Sequence, residues 1–155
     1  MCFKKNSLNS AYDAGVRRCP ICNVQLVWKS NSANVQKNLA TVDHIVPRSI
    51  GGADIPANMF VMCRTCNEKR GADCFVEYVS KAGISISFAE ELYKTAHVAT
   101  LQTIIFNQFV NSFDDKKTAM RVNKKRRNLI RSVIKNYTDY FGDYLPEFQL
   151  LQRFV

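Results

Sequence analysis

The sequence predicts an α+β fold, and three observations carry that expectation. Between Cys19 and Gly71 the apolar residues come in short pieces, Val24 to Trp28, Ala40 to Val42 and Met59 to Met62, broken by Asn, Ser, Gly and Pro, as in small strands and loops. After Gly71 they recur at helical spacing instead. Two CxxC pairs, Cys19 with Cys22 and Cys63 with Cys66, bound the strand-like stretch.

Taken in order, residues 1–18 read as a polar N-terminal extension with one short helix around Ala11 to Arg17. Residues 19–83 read as a compact core and residues 84–155 as a helical region. Lys29 to Asn38 is expected to be an exposed loop. Asp73 is placed to cap a helix carrying Phe75, Tyr78 and Val79 that stops near Gly83. Ser87 with Glu90 makes a capping box for a long helix that turns Leu92, Leu101, Ile105 and Phe109 inward. A third helix should run from about Asp115 to Tyr137, and Pro146 opens a last short helix holding Phe148, Leu151 and Phe154.

At 155 residues and 46% hydrophobic, the chain can fill a core of its own. No stretch reaches the roughly 18 apolar residues of a membrane span, and Met1 to Ser10 lacks the apolar run of a signal peptide. A cytoplasmic protein with no membrane partner is therefore expected. The six cysteines of such a protein stay reduced, and four of them in two CxxC pairs point to metal rather than disulfides.

Each CxxC makes a tight turn that aims two sulfurs at one centre, so Cys19, Cys22, Cys63 and Cys66 can hold one tetrahedral Zn(II). Four thiolates leave no position for water, which makes this zinc structural. It would clip together the 40 residues from Asn23 to Met62 and hold them rigidly. A redox CxxC is the competing reading, but such a motif normally stands alone. Cys2 and Cys74 fall outside the pattern, as a terminal thiol and a packed helix residue.

Between the pairs lies Asp43-His44-Ile45-Val46-Pro47-Arg48-Ser49-Ile50-Gly51-Gly52, then Asn58, then Cys63-Arg64-Thr65-Cys66-Asn67-Glu68-Lys69-Arg70-Gly71. This stretch, about a third of the chain, resembles the HNH endonuclease family. That family's pattern is an Asp-His pair, a Gly-rich turn, a central Asn, and a closing CxxC followed by His or Asn, a basic residue and Gly. The resemblance implies a treble-clef-like ββα-metal core with structural zinc, followed here by a helical C-terminal region. It implies that His44 is the base that activates water, and that Asp43 and Asn67 hold one catalytic Mg(II) or Mn(II). Asn58 would bridge the loop backbone and aim His44, while Arg48, Arg64, Lys69 and Arg70 would contact phosphate. Asn67 stands where the family name expects His, as in the HNH domain of RNA-guided CRISPR nucleases. An amide oxygen there suits Mg(II) or Mn(II) better than Zn(II) or Ni(II).

The net charge is +9, and its location is informative. Lys116, Lys117, Arg121, Lys124, Lys125, Arg126, Arg127, Arg131 and Lys135 fall in one 20-residue segment without an acid, and the rest of the chain balances to zero. Val122, Leu129, Ile130, Val133, Ile134 and Tyr137 recur at helical spacing, so one face can pack while the basic face meets double-stranded DNA. His97 reads as a packing or surface residue beside Tyr93 and Leu101, and the many aromatics as core. The expectation is a metal-dependent DNA endonuclease, similar to homing, phage or restriction nucleases. It would nick one strand alone and cut both as a homodimer. The alternative is a non-catalytic zinc-stabilised nucleic-acid-binding module.

Overall fold

A computed structural model describes residues 3–29, 36–111 and 116–142, with side chains described for 6–29, 36–107, 124–125 and 127–142. Among these residues the fold is α+β. Helix α1 (Phe3–Asp13) precedes an antiparallel pair, β1 (Ala40–His44) and β2 (Met59–Cys63). Helices α2 (Arg64–Arg70), α3 (Phe75–Lys81), α4 (Ile86–Asn111) and α5 (Lys116–Phe141) follow. Ala40 pairs with Cys63 and His44 with Met59, so Cys63, the zinc-ligand candidate of β2, and the Asp-His pair lie at opposite ends of one ladder.

Three apolar clusters hold these elements. Cys19, Leu26, Ala40, Met62, Cys63 and Cys66 form the first, at the cysteine end of the hairpin. Ile45 and Val46, just past β1, pack with Phe75, Val76 and Val79 of α3 and Ala89, Tyr93 and Ala96 of α4. Leu101 and Ile104 of α4 meet Ile130, Val133, Ile134 and Tyr137 of α5 in the third. Each fully buried Val, Leu, Ile, Phe or Met side chain among them contributes about 1.5–3 kcal/mol. The middle cluster runs continuously from the β1 end into α4, so the helical region is built directly onto the hairpin.

Several expectations need correction. The first helix lies at Phe3–Asp13 rather than around Ala11 to Arg17, ending before Gly15, whose φ of +82° turns the chain back. Leu8 and Val16 then rest against the cysteine-end cluster. Val24 to Trp28 is not a strand. Only Gln25 and Val27 make isolated bridges, to Arg18 and Leu39, because the segment is busy wrapping the first cysteine turn. Helix α3 is capped at Cys74, not Asp73. Helix α4 starts at Ile86, one residue ahead of the expected Ser87 cap, with the Ala89 amide bonded to the Ser85 carbonyl. The Ser87 hydroxyl meets Ser85 Oγ at 2.8 Å and closes no capping box.

Leu101 is buried as expected, while Leu92 and Ile105 are half-buried. Helix α5 continues beyond Tyr137 to Phe141. The side chains of Phe109 and Val122, the body of the loop expected at Lys29 to Asn38, and the helix expected from Pro146 lie outside the described residues. His97 is buried: Nδ1 lies 2.8 Å from the Tyr93 carbonyl and Nε2 meets the Asn136 side-chain amide at 3.0 Å, tying α4 to α5. Among the described residues, no helix is long and apolar enough to cross a membrane.

Candidate metal and nuclease site

The four sulfurs of Cys19, Cys22, Cys63 and Cys66 all lie within 4.8 Å of one another. Cys22 Sγ and Cys63 Sγ are 3.6 Å apart, close to the roughly 3.8 Å edge of a tetrahedron with 2.3 Å zinc–sulfur bonds. Local backbone geometry builds this cage. Asn23 takes a left-handed φ of 59°, its amide bonds the Cys19 carbonyl, and the Cys19 amide bonds the Val24 carbonyl, folding the first CxxC into a knuckle. The Cys63 amide donates to Cys19 Sγ at 3.3 Å, and the Cys66 amide donates to Cys63 Sγ at 3.4 Å. Burial, with the neighbouring thiols adding to it, pushes the Cys66 thiol far up, and burial pushes Cys63 up too. Cys22, the exposed member, is lowered because the Val24 backbone and the other thiols outweigh its slight burial. Sulfurs held this close cannot all ionise without a cation, and the cluster is consistent with a zinc site.

At the other end of the hairpin, Asp43 and His44 are the last two residues of β1. Asn58 is fully buried and holds the loop that returns from them. Its Oδ1 accepts from the Val46 amide at 2.7 Å, while Nδ2 donates to the Val46 carbonyl at 3.1 Å and the Ala53 carbonyl at 2.9 Å. The Ile45 amide adds a bond to the Asn58 carbonyl at 3.0 Å. Gly51, at φ +104°, and Gly52 make the turn; a Cβ on Gly52 would stand 1.8 Å from the Val46 carbonyl oxygen. No residue with a side chain fits there.

Asn67 projects from α2 onto β1, its Nδ2 donating to Thr41 Oγ1 at 3.1 Å and to the Val42 carbonyl at 3.3 Å. It is thereby docked one residue before Asp43, with Oδ1 outside those bonds. Asp43 is 7% exposed and His44 8%. Burial pushes the Asp43 carboxyl up, and the Arg70 charge pulls only part of that back. The donor set, one carboxylate and one amide oxygen, fits a hard cation such as Mg(II) or Mn(II) that keeps several of its waters.

Arg70 requires a correction. Expected at phosphate, it is 1% exposed. Its Nη1 donates to Asp43 Oδ2 at 2.6 Å and to the His44 carbonyl at 2.8 Å, and its Nη2 donates to the Ile45 carbonyl at 3.1 Å. A guanidinium so occupied stitches α2 to the end of β1 and cannot reach a bound strand. Arg48 and Lys69 are exposed, and Arg64 is half-exposed and paired with Glu68 at 2.6 Å.

Sequence reading missed Asp54. Its Oδ1 lies 2.6 Å from His44 Nε2, and its Oδ2 lies 3.7 Å from Arg48 Nη2. An acid two residues after a Gly-Gly turn was the only signal, and nothing in spacing says which way such a loop folds. Asp54 also lines a cleft of about 450 Å³ with Gly51, Thr103 and Leu129, between the turn and helices α4 and α5. A larger cleft, about 580 Å³, lies between α1 and β2 and contains none of the candidate site residues.

Helix α5 packs beside this turn, where a Cβ on Gly51 would lie 3.2–3.3 Å from Val133 and Leu129. Lys124, Lys125, Arg127, Arg131 and Lys135 are exposed, Lys135 pairing with Asp139 along the helix. Lys116, Lys117, Arg121 and Arg126 lie on the same helix, with side chains outside those described.

No curated protein and no solved structure matches the chain. Residues 19–78 match the family model described as HNH endonuclease, a segment that contains all four cysteines, the Asp-His pair, Asn58 and Asn67. That segment, with its hairpin, following helix and metal-ready cysteine cage, is the part of the chain that is similar to the HNH endonuclease family.

Proposed function

We propose that this chain is a metal-dependent DNA endonuclease that hydrolyses phosphodiester bonds at His44, with a structural zinc in the four-cysteine cage. The observation that carries this reading is the placement of His44 and Asp43 at the end of β1, with Asn67 docked from α2 onto the same strand, inside an HNH endonuclease family segment. His44 takes a proton from the attacking water. Asn58 fixes the loop and so the ring. Asp43 and Asn67 would hold Mg(II) or Mn(II), which when bound neutralises charge on the phosphate and the departing 3′ oxygen.

Arg48 and Lys69, exposed near these residues, supply phosphate contacts, and the basic face of α5 grips the duplex beside the turn. One such site reaches one strand, so a single chain nicks and two chains acting together cut both strands.

Supercoiled plasmid incubated with the full chain and Mg(II) or Mn(II) tests this. Nicked circles from wild type and none from His44→Ala are expected. Tight binding without nicking in either metal would replace the enzyme with a non-catalytic zinc-stabilised binding module.

A further inference from the structure

We propose that Asp54 is a positioning residue for His44, fixing which ring nitrogen faces the substrate; this rests on the reading of His44 as the base. A carboxylate only accepts hydrogen bonds, so at 2.6 Å from Asp54 Oδ1 the His44 Nε2 carries the hydrogen. The other ring nitrogen, Nδ1, engages no hydrogen bond among the described residues. Nδ1 is therefore the proton acceptor. Water gives its proton to Nδ1 as its oxygen forms the new bond to phosphorus, and the bond to the 3′ oxygen breaks, that oxygen taking a proton from solvent. The Nε2 hydrogen stays on the ring throughout, and Asp54 stays ionised.

Asp54 can do this because its backbone is pinned. The preceding residue, Ala53, accepts from Asn58 Nδ2 at 2.9 Å, and its amide donates to Thr100 Oγ1 of α4 at 3.4 Å. Gly52 is wedged against the Val46 carbonyl. Asn58 thus holds the base from two sides: it fastens the backbone after His44, and it fastens the residue before the carboxylate that orients the ring. Arg48, 3.7 Å from Oδ2, sets an opposite charge beside the same carboxylate.

The test combines cleavage kinetics with proton and nitrogen spectra of the His44 ring in the full chain, which has only one other histidine. Wild type should show a downfield, slowly exchanging hydrogen on Nε2, with the ring in the Nε2–H tautomer. Asp54→Ala should lose that signal and drop kcat about 10- to 100-fold with KM unchanged, while Asp54→Asn, which keeps an acceptor, recovers part of both. A wild-type ring in the Nδ1–H tautomer, or a full rate for Asp54→Ala while His44→Ala is inactive, overturns the role of Asp54 alone. A His44→Ala chain that cleaves like wild type overturns the base assignment instead.

Discussion

Replacing Arg70 with Met probes how the site is built, because the buried guanidinium holds the carboxylate expected to bind metal. Arg70 and Asp43 are both nearly sealed, their side chains 1% and 8% exposed, so solvent screening gives little relief. Arg70→Met keeps the length of the side chain but leaves Asp43 charged and unpaired, and strips the donor from the His44 and Ile45 carbonyls. Breaking a buried pair in this way costs about 3–5 kcal/mol. With an unfolding entropy typical of a chain this size, that lowers Tm by roughly 9–15 °C. The assay is chemical and thermal unfolding of the zinc-loaded protein beside a double variant, Arg70→Met with Asp43→Leu. The double variant removes both charges and should recover most of the loss, since an apolar pair of similar volume often matches a buried ion pair. A loss under about 1 kcal/mol for the single variant, or a double variant no more stable than the single, would refute the reasoning.

Other outcomes follow from the same geometry. Cys66→Ser removes a buried member of the cysteine cage and should abolish stoichiometric zinc and cooperative unfolding together, read by metal analysis and circular dichroism. Neutralising Lys124, Lys125 and Arg127 should weaken DNA binding and flatten the dependence of log Kd on log salt by roughly 0.9 for each phosphate no longer neutralised; an unchanged slope would remove α5 from the interface. Burial holds His97 below the ordinary histidine range, so the folded state favours the neutral ring. Its contribution to stability is then complete above about pH 6.5 and is lost as the pH falls through the lowered folded-state value. Unfolding free energies of wild type should therefore drop more steeply on acidification than those of His97→Gln, by at most about 1.4 kcal/mol per pH unit.

What could be read from the sequence was what residue type alone encodes. Two CxxC pairs need one centre, an Asp-His pair before a Gly-Gly turn needs a tight loop, and the structure supplies both. Arg70 departs from its expected place because a basic residue beside a glycine reads locally as a phosphate contact. Helical geometry points the other way: Arg70 lies four residues after Cys66, on the same face of α2, and a cage cysteine faces inward. The first helix lies away from its expected position because its apolar residues, Phe3, Leu8, Ala11 and Tyr12, are few among polar ones, and packing on the sheet decides where it forms. Asp54 meets His44 only because Asn58, Gly52 and Thr100 together close the loop, a tertiary outcome with no local signature.

The most direct measurement of the central claim is the fate of solvent oxygen. Plasmid is nicked by the full chain with Mn(II) in ¹⁸O-labelled water, and the new ends are analysed by mass spectrometry. One labelled oxygen in each 5′-phosphate, 3′-hydroxyl partners, and no such ends from His44→Ala are expected. Labelled ends produced equally by His44→Ala, or none produced by wild type on DNA it binds, would contradict hydrolysis at His44.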